Sequence, residues 1–369
     1  MYGKLARLNF PPILLISFFF LHSMATGINI SLRCADLNPQ ISNSSKGFKK
    51  GEIAQGNSID PELASAEKQP KIITVRKNGK GDFRTLREAI NSIPSGNKKR
   101  TILRIGPGVY KEKVTVDRLK PYITFYGEPD QMPRITFDAT ASQYGTINSA
   151  TVAVESDYFV ASNIIFENSS PKPILGMQGS QAVAMRISGD KAAFYNCRFY
   201  GHQDTLCDDK GLHFFKDCYI RGTVDFIFGD GRSIYSNCKL VSIADGVTAI
   251  TAQGRYSTSD NSAFVFLNCN ITGTGNAFLG RAWKENSRVV FAYTYMGNLI
   301  NPRGWDDKGY SNRQGSVFYG EYKSQGPGAA TKHRVKFTKL LTDEQAKPFV
   351  SMNFIQASQW LKPPPKLVD

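Results

Sequence analysis

Two carboxylates, Asp204 and Asp225, stand in stretches that are otherwise rich in apolar and aromatic residues. Asp204 lies in Tyr-Gly-His-Gln-Asp-Thr-Leu (200–206), and Asp225 lies in Val-Asp-Phe-Ile-Phe-Gly (224–229). Two like charges close together in apolar surroundings do not ionise together easily, so the pKa of one acid is raised. Such a pair supplies a protonated general acid beside an ionised nucleophile or base, provided that the fold brings the two residues together.

Other side chains could complete a site around this pair. The amides of Gln181 and Gln203 are suitable donors to a developing oxyanion. Arg281 could hold an ionised carboxylate in its acceptor orientation, and Trp283 beside it could stack on a sugar ring. Taken singly, each residue is more readily explained as a polar group satisfied within the fold or as an aromatic residue of the core.

An internal repeat predicts how these residues are positioned. The pattern of a polar residue, Cys, any residue and a large apolar residue recurs around four cysteines, and Asn163-Ile-Ile-Phe fits with Ile in the Cys position. The successive spacings of 33, 21, 20 and 31 residues suit a solenoid whose turns share a core strand and differ in loop length. The repeated cysteines are Cys197, Cys218, Cys238 and Cys269.

Asp204 and Asp225 follow Cys197 and Cys218 by the same seven residues, so they occupy equivalent positions on adjacent coils. In a parallel β-helix, whose strands lie about 4.8 Å apart, the two carboxylates should face the same way, roughly 5 to 6 Å from each other. The same offset from the third cysteine leads to Asp245, whose setting is typical of an ordinary turn. The repeat alone therefore does not decide which acids are catalytic.

The repeated cysteines are expected to stack inward as a column of small apolar groups. Disulfides among them are the alternative. Zinc is disfavoured, because the sequence has no paired Cys-x-x-Cys spacing and its four His residues are scattered.

The remaining patterns predict an all-β fold with one short helix at its N-terminal end. A strand is expected at Ile72–Val75, followed by a helix over 83–93 that Asp82 caps and Pro94 ends. After it, short apolar runs such as 101–105 and 122–126, broken by Gly, Pro and Asn, are typical of strands and turns.

The N-terminus has the composition of a secretory signal peptide over residues 1–25, with an uncleaved anchor as the alternative. Residues 26–70 lack apolar periodicity and are interpreted as a flexible leader, so that the folded body comprises residues 71–369. Export permits glycans, and the acceptor pattern occurs at Asn43, Asn168 and Asn270.

The formal net charge of +15 indicates an acidic partner or simply high solubility. In an exported protein the favoured acidic partner is a polysaccharide, since no nucleic-acid-binding motif is present. After signal cleavage no membrane association is expected.

Together these motifs resemble those of plant pectin methylesterases (pectinesterases). The resemblance runs from about Ile72 to the C-terminus and rests on Gly-Val-Tyr-Lys-Glu (108–112), Gln-Ala-Val-Ala-Met-Arg (181–186), Gly-His-Gln-Asp-Thr-Leu (201–206), Asp-Phe-Ile-Phe-Gly (225–229), Thr-Ala-Gln-Gly-Arg (251–255), Leu-Gly-Arg-Ala-Trp (279–283), Phe-Tyr-Gly-Glu-Tyr with Gly-Pro-Gly-Ala (318–329), and Asn-Phe-Ile with Trp-Leu (353–361).

The resemblance implies a right-handed parallel β-helix and assigns a role to each candidate. Asp225 would attack the C6 methyl-ester carbonyl of a galacturonate unit, and Asp204 would protonate the leaving methanol and then activate water. Gln181 and Gln203 would hold the oxyanion, and Arg281 would pair with Asp225. The substrate-lining residues would be Trp283 and, as a further candidate, Phe226.

The resemblance also implies a secreted plant cell-wall enzyme that acts on pectin without a metal or organic cofactor. A monomer is expected. A proteinaceous pectinesterase inhibitor is a candidate partner. Many plant members carry a helical inhibitor-like pro-region, and only about 45 residues separate the predicted signal from the catalytic body here, so this domain is expected to be absent.

The sequence departs from the family pattern at His202 and Cys207, which flank Gln-Asp-Thr-Leu, and at Asp230. A second Trp that is often found soon after the first is also missing from Gly-Trp-Asp-Asp-Lys-Gly-Tyr (304–310). Two rival functions stay open from sequence. One is a β-helix glycoside hydrolase such as a polygalacturonase, which would also use two carboxylates; pectate lyases typically need calcium, and no dense acidic cluster is present. The other is a pectin-binding cell-wall protein without turnover.

Overall fold

The computed structural model describes residues 59–174 and 177–364. The predicted signal segment, most of the predicted leader and the acceptor Asn43 lie outside the described residues.

Short strands make up most of the described chain, with only a few single-turn or two-turn helices. The strands are β1 (Lys71–Val75), β2 (Thr101–Ile105), β3 (Val109–Lys111), β4 (Val114–Val116), β5 (Ile123–Tyr126), β6 (Arg134–Phe137), β7 (Val152–Val154), β8 (Val160–Ser162), β9 (Ile165–Asn168), β10 (Met185–Ile187), β11 (Ala192–Tyr195), β12 (Arg198–Tyr200), β13 (Leu206–Asp208), β14 (Leu212–Lys216), β15 (Tyr219–Gly222), β16 (Ile227–Gly229), β17 (Arg232–Ser236), β18 (Lys239–Gln253), β19 (Ala263–Leu267), β20 (Asn270–Arg281), β21 (Arg288–Ala292), β22 (Tyr295–Met296), β23 (Trp305–Asp306), β24 (Phe318–Tyr322) and β25 (Thr338–Leu340). The α-helices are α1 (Pro61–Ala66), α2 (Leu86–Asn91), α3 (Ala141–Tyr144), α4 (Asp343–Ala346) and α5 (Ala357–Trp360), and 3-10 turns occur at Pro129–Gln131, Ile147–Ser149, Ser311–Arg313, Pro327–Ala329 and Met352–Ile355.

The strands form a parallel β-helix. Eleven of them make one sheet in the order β1-β2-β5-β8-β11-β14-β17-β19-β21-β24-β25. The other fourteen make a second sheet, in which the long strand β18 pairs with β15 along its first part and with β16 along its last part. Successive coils therefore stack strand on strand, as the repeat predicts, and β18 links two faces of the solenoid.

The core runs along the helix axis as a continuous apolar column. Aromatic rings from successive coils stack on one another with centroids 4.4 to 4.8 Å apart, from Phe194 through Phe215, Tyr235 and Phe266 to Phe291. The four repeated cysteines are buried in the same core as free thiols, which is the predicted column of small apolar groups.

The backbone conformation at the polar position of each repeat explains why that residue is Asn or Asp. Asn163, Asn196, Asp217, Asn237 and Asn268 all have φ between 49° and 59°, the left-handed region that Asn and Asp tolerate better than other side chains. Each therefore turns the chain between two faces. The side-chain amide of Asn196 also donates to Asn163 Oδ1 at 2.9 Å, which ties adjacent coils together at the turn.

The N-terminal part of the body differs from the expectation in two respects. Ordered structure begins before Ile72, because α1 buries Leu63 and Ala66, and the predicted leader therefore ends before residue 70. The missed signal was an Asp60 N-cap followed by Pro61 at the first helical position.

The predicted helix is present but shorter. Its N-cap is Thr85, in a reciprocal capping box with Glu88, whereas Asp82 binds the backbone and hydroxyl of Thr74 at 2.7 and 2.8 Å. Phe83 forms a β-bridge with Val75 instead of joining the helix. No helix among the described residues is long and apolar enough to cross a membrane.

Candidate active site

The two carboxylates come together on adjacent coils. β13 pairs in parallel with β16 with Leu206 opposite Ile227, so Asp204 and Asp225, each two residues earlier, occupy equivalent positions. Both have left-handed backbone (φ 62° and 51°) and both are buried, with 9% and 3% of their surface exposed. They lie in the turns two residues before β13 and β16, and the structure thus brings together the pair that the repeat predicts.

Asp245 does not belong to this row. Its coil carries extra residues between Ile243 and Val247, where the pairing of β18 with β20 shifts register. Ala249 therefore takes the position next to Asp225, whose N–H donates to the Ala249 carbonyl at 2.8 Å. The Asp245 carboxylate is exposed and pairs with Lys172 at 2.5 Å.

Arg281 holds the Asp225 carboxylate from a more distant coil. Its Nε lies 2.7 Å from Asp225 Oδ1 and 2.8 Å from Oδ2, and its Nη2 donates to Oδ2 as well. The planar guanidinium fixes the carboxylate orientation and its charge compensates the buried anion. Nη1 of Arg281 is buried and has no hydrogen-bond partner among the described residues.

Asp204 has a different electrostatic environment. Burial raises its pKa well above the ordinary value, the negative charge of Asp225 raises that pKa further, and Arg281 acts weakly in the opposite direction. The pair therefore consists of one carboxylate bound to a guanidinium and one carboxyl group that favours its protonated form. This is the electrostatic division that a nucleophile and a general acid require.

Gln181 and Gln203 start from adjacent coils beside the pair. The Gln203 carbonyl accepts a hydrogen bond from the N–H of Ala182 at 3.1 Å, and both glutamine residues are half-buried. Ala182 is the residue in register with Gln203, so the two amides are offset by one position along their coils. Gln203 directly precedes Asp204, and Gln181 lies on the adjacent coil one position before the residue in register with Gln203, so both residues border the carboxylate pair.

Trp283 lies at the edge of the site and Phe226 does not. Trp283 is half-buried and its indole packs edge-to-face on Phe228, with ring centroids 6.1 Å apart. Gly254 permits this position, since a Cβ there would lie 2.9 Å from the indole. Phe226 is completely buried in the main core, so its expected place in the sugar cleft is wrong.

An apolar floor lies beside the carboxylates and includes one of the departures from the family pattern. It consists of a small buried cluster outside the main core, formed by Ala150, Ala153, Val183, Cys207, Phe228 and Ala252, against which Trp283 packs. Burial raises the pKa of the Cys207 thiol well above its ordinary range, so this thiol is an apolar floor group and not a nucleophile.

The other departures also have identifiable surroundings. Burial lowers the pKa of His202, and the nearby cations Arg221 and Lys172 lower it further, so the neutral imidazole is favoured. The Asp230 carboxylate accepts hydrogen bonds from Ser262 and Gln253. Burial raises the pKa of Asp230, while these two hydrogen bonds act in the opposite direction.

Two of the motifs that suggested the family have structural roles. Gln253, fully buried, accepts from the N–H groups of Arg255 and Arg288 at 3.0 and 2.8 Å and so fixes the end of β18. Glu321 binds the indole N–H of Trp305 at 3.0 Å and forms a buried ion pair with Arg334.

The sequence reasoning missed a fully buried polar network centred on Asp208 and His213, which follow Asp204 on its coil. Asp208 binds the imidazole of His213 at 2.5 Å and the hydroxyl of Tyr235 at 2.7 Å, and the second imidazole nitrogen of His213 lies 2.9 Å from the Gly189 carbonyl. Burial opposes the charged imidazole, but Asp208 raises the pKa of His213 above its ordinary value. No spacing rule connects these residues, and only the stacking of neighbouring coils brings Tyr235 and the Gly189 carbonyl to Asp208 and His213.

One glycan expectation is wrong. Asn168 is 3% exposed, and its amide nitrogen donates to the carbonyls of Ala139, Ser149 and Val183. A glycan needs that nitrogen accessible, so Asn168 is a structural residue. Asn270 is partly exposed.

Within residues 59–174 and 177–364, no group of three or more His, Cys, Asp or Glu residues is arranged to hold a metal ion. A cavity of about 250 Å³ lies on the outer face of the eleven-stranded sheet, between Arg100, Lys191 and Trp360, and does not include the carboxylate pair.

Fold and site together define a class of protein, a hydrolase that carries an unequal pair of carboxylates on the outer face of a parallel β-helix. Residues 72–358 match the family model described as pectinesterase. The chain belongs to the pectinesterase family, whose members are carboxylic ester hydrolases.

Sequence similarity to plant pectinesterases covers most of this chain. It is 55% identical over 292 residues to "Putative pectinesterase 63" of Arabidopsis thaliana, covering 79% of this chain and 86% of that one. It is 52% identical over 308 residues to "Pectinesterase 2" of Olea europaea, covering 83% and 84%.

Solved structures of pectin methylesterases have the same fold as this chain. The pectin methylesterase from carrot superposes with a TM-score of 0.73 at 34% identity, covering 80% of this chain and 96% of that one. The Aspergillus niger enzyme superposes with a TM-score of 0.69 at 29% identity, covering 80% and 97%. The expected right-handed parallel β-helix is confirmed by these structures.

Proposed function

We propose that this pectinesterase hydrolyses the C6 methyl esters of homogalacturonan, releasing methanol and leaving a galacturonate carboxylate. One observation carries the proposal: on adjacent coils, a carboxylate bound to a guanidinium lies beside a carboxyl group whose pKa is raised. A solved pectin methylesterase in complex with a hexasaccharide supports pectin as the substrate.

In the proposed mechanism Asp225 is the nucleophile. One of its carboxylate oxygens attacks the ester carbonyl carbon, and the carbonyl π electrons move to the oxygen to form a tetrahedral oxyanion. The side-chain amides of Gln181 and Gln203 donate to this oxyanion, which they stabilise more strongly than the neutral ester. Arg281 holds the Asp225 carboxylate in one orientation before the attack through its contacts to both carboxylate oxygens.

Asp204 then acts twice. As a general acid it gives its proton to the methoxy oxygen when the C–O bond breaks, so that methanol leaves and Asp225 remains as an acyl anhydride. The resulting Asp204 carboxylate removes a proton from water, whose oxygen attacks the substrate carbonyl of the anhydride. Collapse of this second intermediate breaks the bond to Asp225, restores the Asp225 carboxylate and the protonated Asp204, and releases the free acid, which loses its proton to solvent to give galacturonate. Trp283 lines the sugar cleft beside the pair.

The direct test is methanol release from highly esterified pectin by the purified mature chain across pH, with Asp225→Asn alongside. The wild-type chain should release methanol, and the variant should fold, bind pectin and lose activity. Asp225→Asn activity above a few per cent of wild type would remove Asp225 from the nucleophile role. Uronic-acid reducing ends without methanol would favour the glycosidase alternative, and salt-sensitive pectin binding without methanol at any pH would favour a binding protein.

The remaining features of the proposed protein concern its setting. We propose cleavage of a signal near residue 25, secretion to the plant cell wall, a catalytic body that begins with α1, glycosylation at Asn270 and activity as a monomer that a proteinaceous pectinesterase inhibitor blocks. N-terminal sequencing and mass measurement of the secreted chain, with Asn270→Gln as the glycan control, test the first four. Light scattering with and without inhibitor tests the last two.

A further inference from the structure

A group of cations borders the Asp225 side of the site. This cationic rim consists of Lys284, Lys308 and Arg313, next to Arg281. Partial desolvation of the ammonium lowers the pKa of Lys308, Arg281 lowers it next, and the Arg313 and Lys284 charges add to this effect. Asp225 raises the same pKa, so the ammonium lies within electrostatic reach of the proposed nucleophile.

The backbone places Lys308 at this rim. Arg281 is paired with Asp306 on the next coil, and the N–H of Ala282 donates to the Asp306 carbonyl at 2.9 Å. Lys308 follows two residues later with left-handed backbone (φ 57°). It is exposed, whereas Arg281 beside it is largely buried.

The turn that carries Lys308 is held at both ends. The Asp307 carboxylate accepts from the N–H of Gly309 at 2.9 Å and from the side chain of Gln314 at 2.5 Å. Arg313 donates to the carbonyls of Ala282 and Trp283 at 2.5 and 2.9 Å. The Lys308 backbone is therefore fixed next to the Trp283 segment.

The four cations of this region differ in what they already bind. Arg281 is engaged by Asp225, and Arg313 is engaged by the two carbonyls and by the ring of Tyr310, 3.8 Å away. Lys284 lies 5.6 Å from the centre of the Trp283 ring. Lys308 forms no ion pair with any carboxylate in the part of the chain that the structure describes. Lys284 likewise has no carboxylate partner but lies over the Trp283 ring, whereas the Lys308 ammonium contacts neither a carboxylate nor an aromatic ring in that part of the chain and is the rim group most available to an external anion.

We propose that Lys308 binds the free carboxylate of a galacturonate unit next to the ester under attack, and so favours esters that already have a de-esterified neighbour on the Trp283 side. This inference rests on the proposed function. Within the polymer only a de-esterified unit carries a charge, so Lys308 distinguishes a galacturonate from its methyl ester. A lysine ammonium suits this task, because it is a compact charge with three donors on a flexible stem.

The expected size of the preference follows from exposure. Exposed ion pairs contribute at most about 1 kcal/mol, which corresponds to about a two- to fivefold change in an equilibrium or rate ratio. The contribution should fall as salt is added, since the Debye length shortens to about 3 Å at 1 M.

The test compares the wild-type chain with Lys308→Gln, Lys308→Arg and Lys347→Gln. Lys347 is an exposed lysine at the end of α4 and provides a matched loss of charge outside the rim. Methanol release is measured on fully esterified and on half de-esterified oligogalacturonides, and each chain is scored by the ratio of its two kcat/KM values. Binding of a fully de-esterified oligogalacturonate by calorimetry is the second readout, which needs no turnover.

Lys308→Gln should lower the kcat/KM ratio about two- to fivefold and weaken the binding of the de-esterified oligomer by a similar factor, with little change on the fully esterified substrate. Lys308→Arg should retain the ratio, and Lys347→Gln should match the wild type. An unchanged ratio together with unchanged oligomer binding overturns the inference. Equal losses on both substrates also overturn it, because they would mean that Lys308 acts on Asp225 instead. Absence of methanol from the wild-type chain would refute the proposed function, and the calorimetric result would still decide the role of Lys308.

Discussion

The ion pair between Arg281 and Asp225 should be energetically coupled, and a double-mutant cycle measures that coupling. The perturbations are Arg281→Met, which retains an apolar stem, Asp225→Asn, and the two together. In the structure, Nε of Arg281 lies within 2.8 Å of both carboxylate oxygens, and the Asp225 side chain is only 4% exposed. Arg281→Met therefore leaves a buried carboxylate without its counter-charge.

The magnitude follows from burial. Removing one partner of a fully buried ion pair costs about 3–5 kcal/mol. The Arg281 side chain is 19% exposed, so water reaches the pair and the expected loss in free energy of unfolding is about 2–3 kcal/mol. Asp225→Asn should cost less, because the unpaired guanidinium retains access to solvent. The double variant should recover about 2 kcal/mol relative to the sum of the single variants.

Equilibrium urea denaturation of the four chains at neutral pH supplies the unfolding free energies, with the slopes compared to check two-state behaviour. The matched control is the exposed pair Lys323–Asp343, whose side chains are 53% and 70% exposed and which should show no measurable coupling. A coupling below about 0.5 kcal/mol for Arg281 and Asp225 would refute the reasoning, because it would mean that solvent already screens the pair.

Three further predictions concern Asp204, the buried His213 and the buried Asn168. Asp204→Asn should raise the free energy of unfolding relative to wild type, and the gain should increase as pH rises above the ordinary pKa of a carboxyl. The reason is that the raised pKa of Asp204 makes its ionisation unfavourable in the folded state. An equal difference at all pH values in urea titrations would contradict this prediction. His213→Gln should destabilise the chain by about 2–4 kcal/mol at pH below about 6.5, where the stabilisation that corresponds to the raised pKa of His213 is fully present. The loss should become smaller as pH rises through that raised pKa. Thermal melts at acidic and alkaline pH measure the difference, and a pH-independent loss would exclude a charged His213–Asp208 pair. Asn168→Ala should lower the free energy of unfolding by about 2–3 kcal/mol in chemical denaturation, because three carbonyl groups lose their donor. The mass of the secreted chain should change only by the substitution itself. Loss of a glycan mass would show that Asn168 is accessible.

The sequence by itself determined the solenoid and the equivalence of the two carboxylates. A parallel coil repeats its core strand, so the Asn/Asp-Cys-x-apolar pattern marks each turn, and its polar residue reappears in the structure with left-handed backbone. Because Asp204 and Asp225 follow their cysteines by the same offset, their adjacency needed only the assumption of one coil per repeat.

Only the tertiary structure decided which other residues belong to the site. Extra residues in β18 shift Asp245 out of the row and leave Ala249 beside Asp225, and a fixed offset cannot detect such a register shift. The turn at Asp225 directs Phe226 into the core, so its neighbour Phe228 contacts Trp283 instead.

Contacts between distant coils were equally invisible in the sequence. Arg281 is 56 residues from Asp225 along the chain, and the Lys308 turn comes from the coil after Arg281. Strand stacking reduces such separations to a few ångströms, and loops of unequal length determine which side chains then meet. The sequence repeat shows the period of the core strands. Which charged side chains pair on the outer faces depends on the loop lengths, and these have no period.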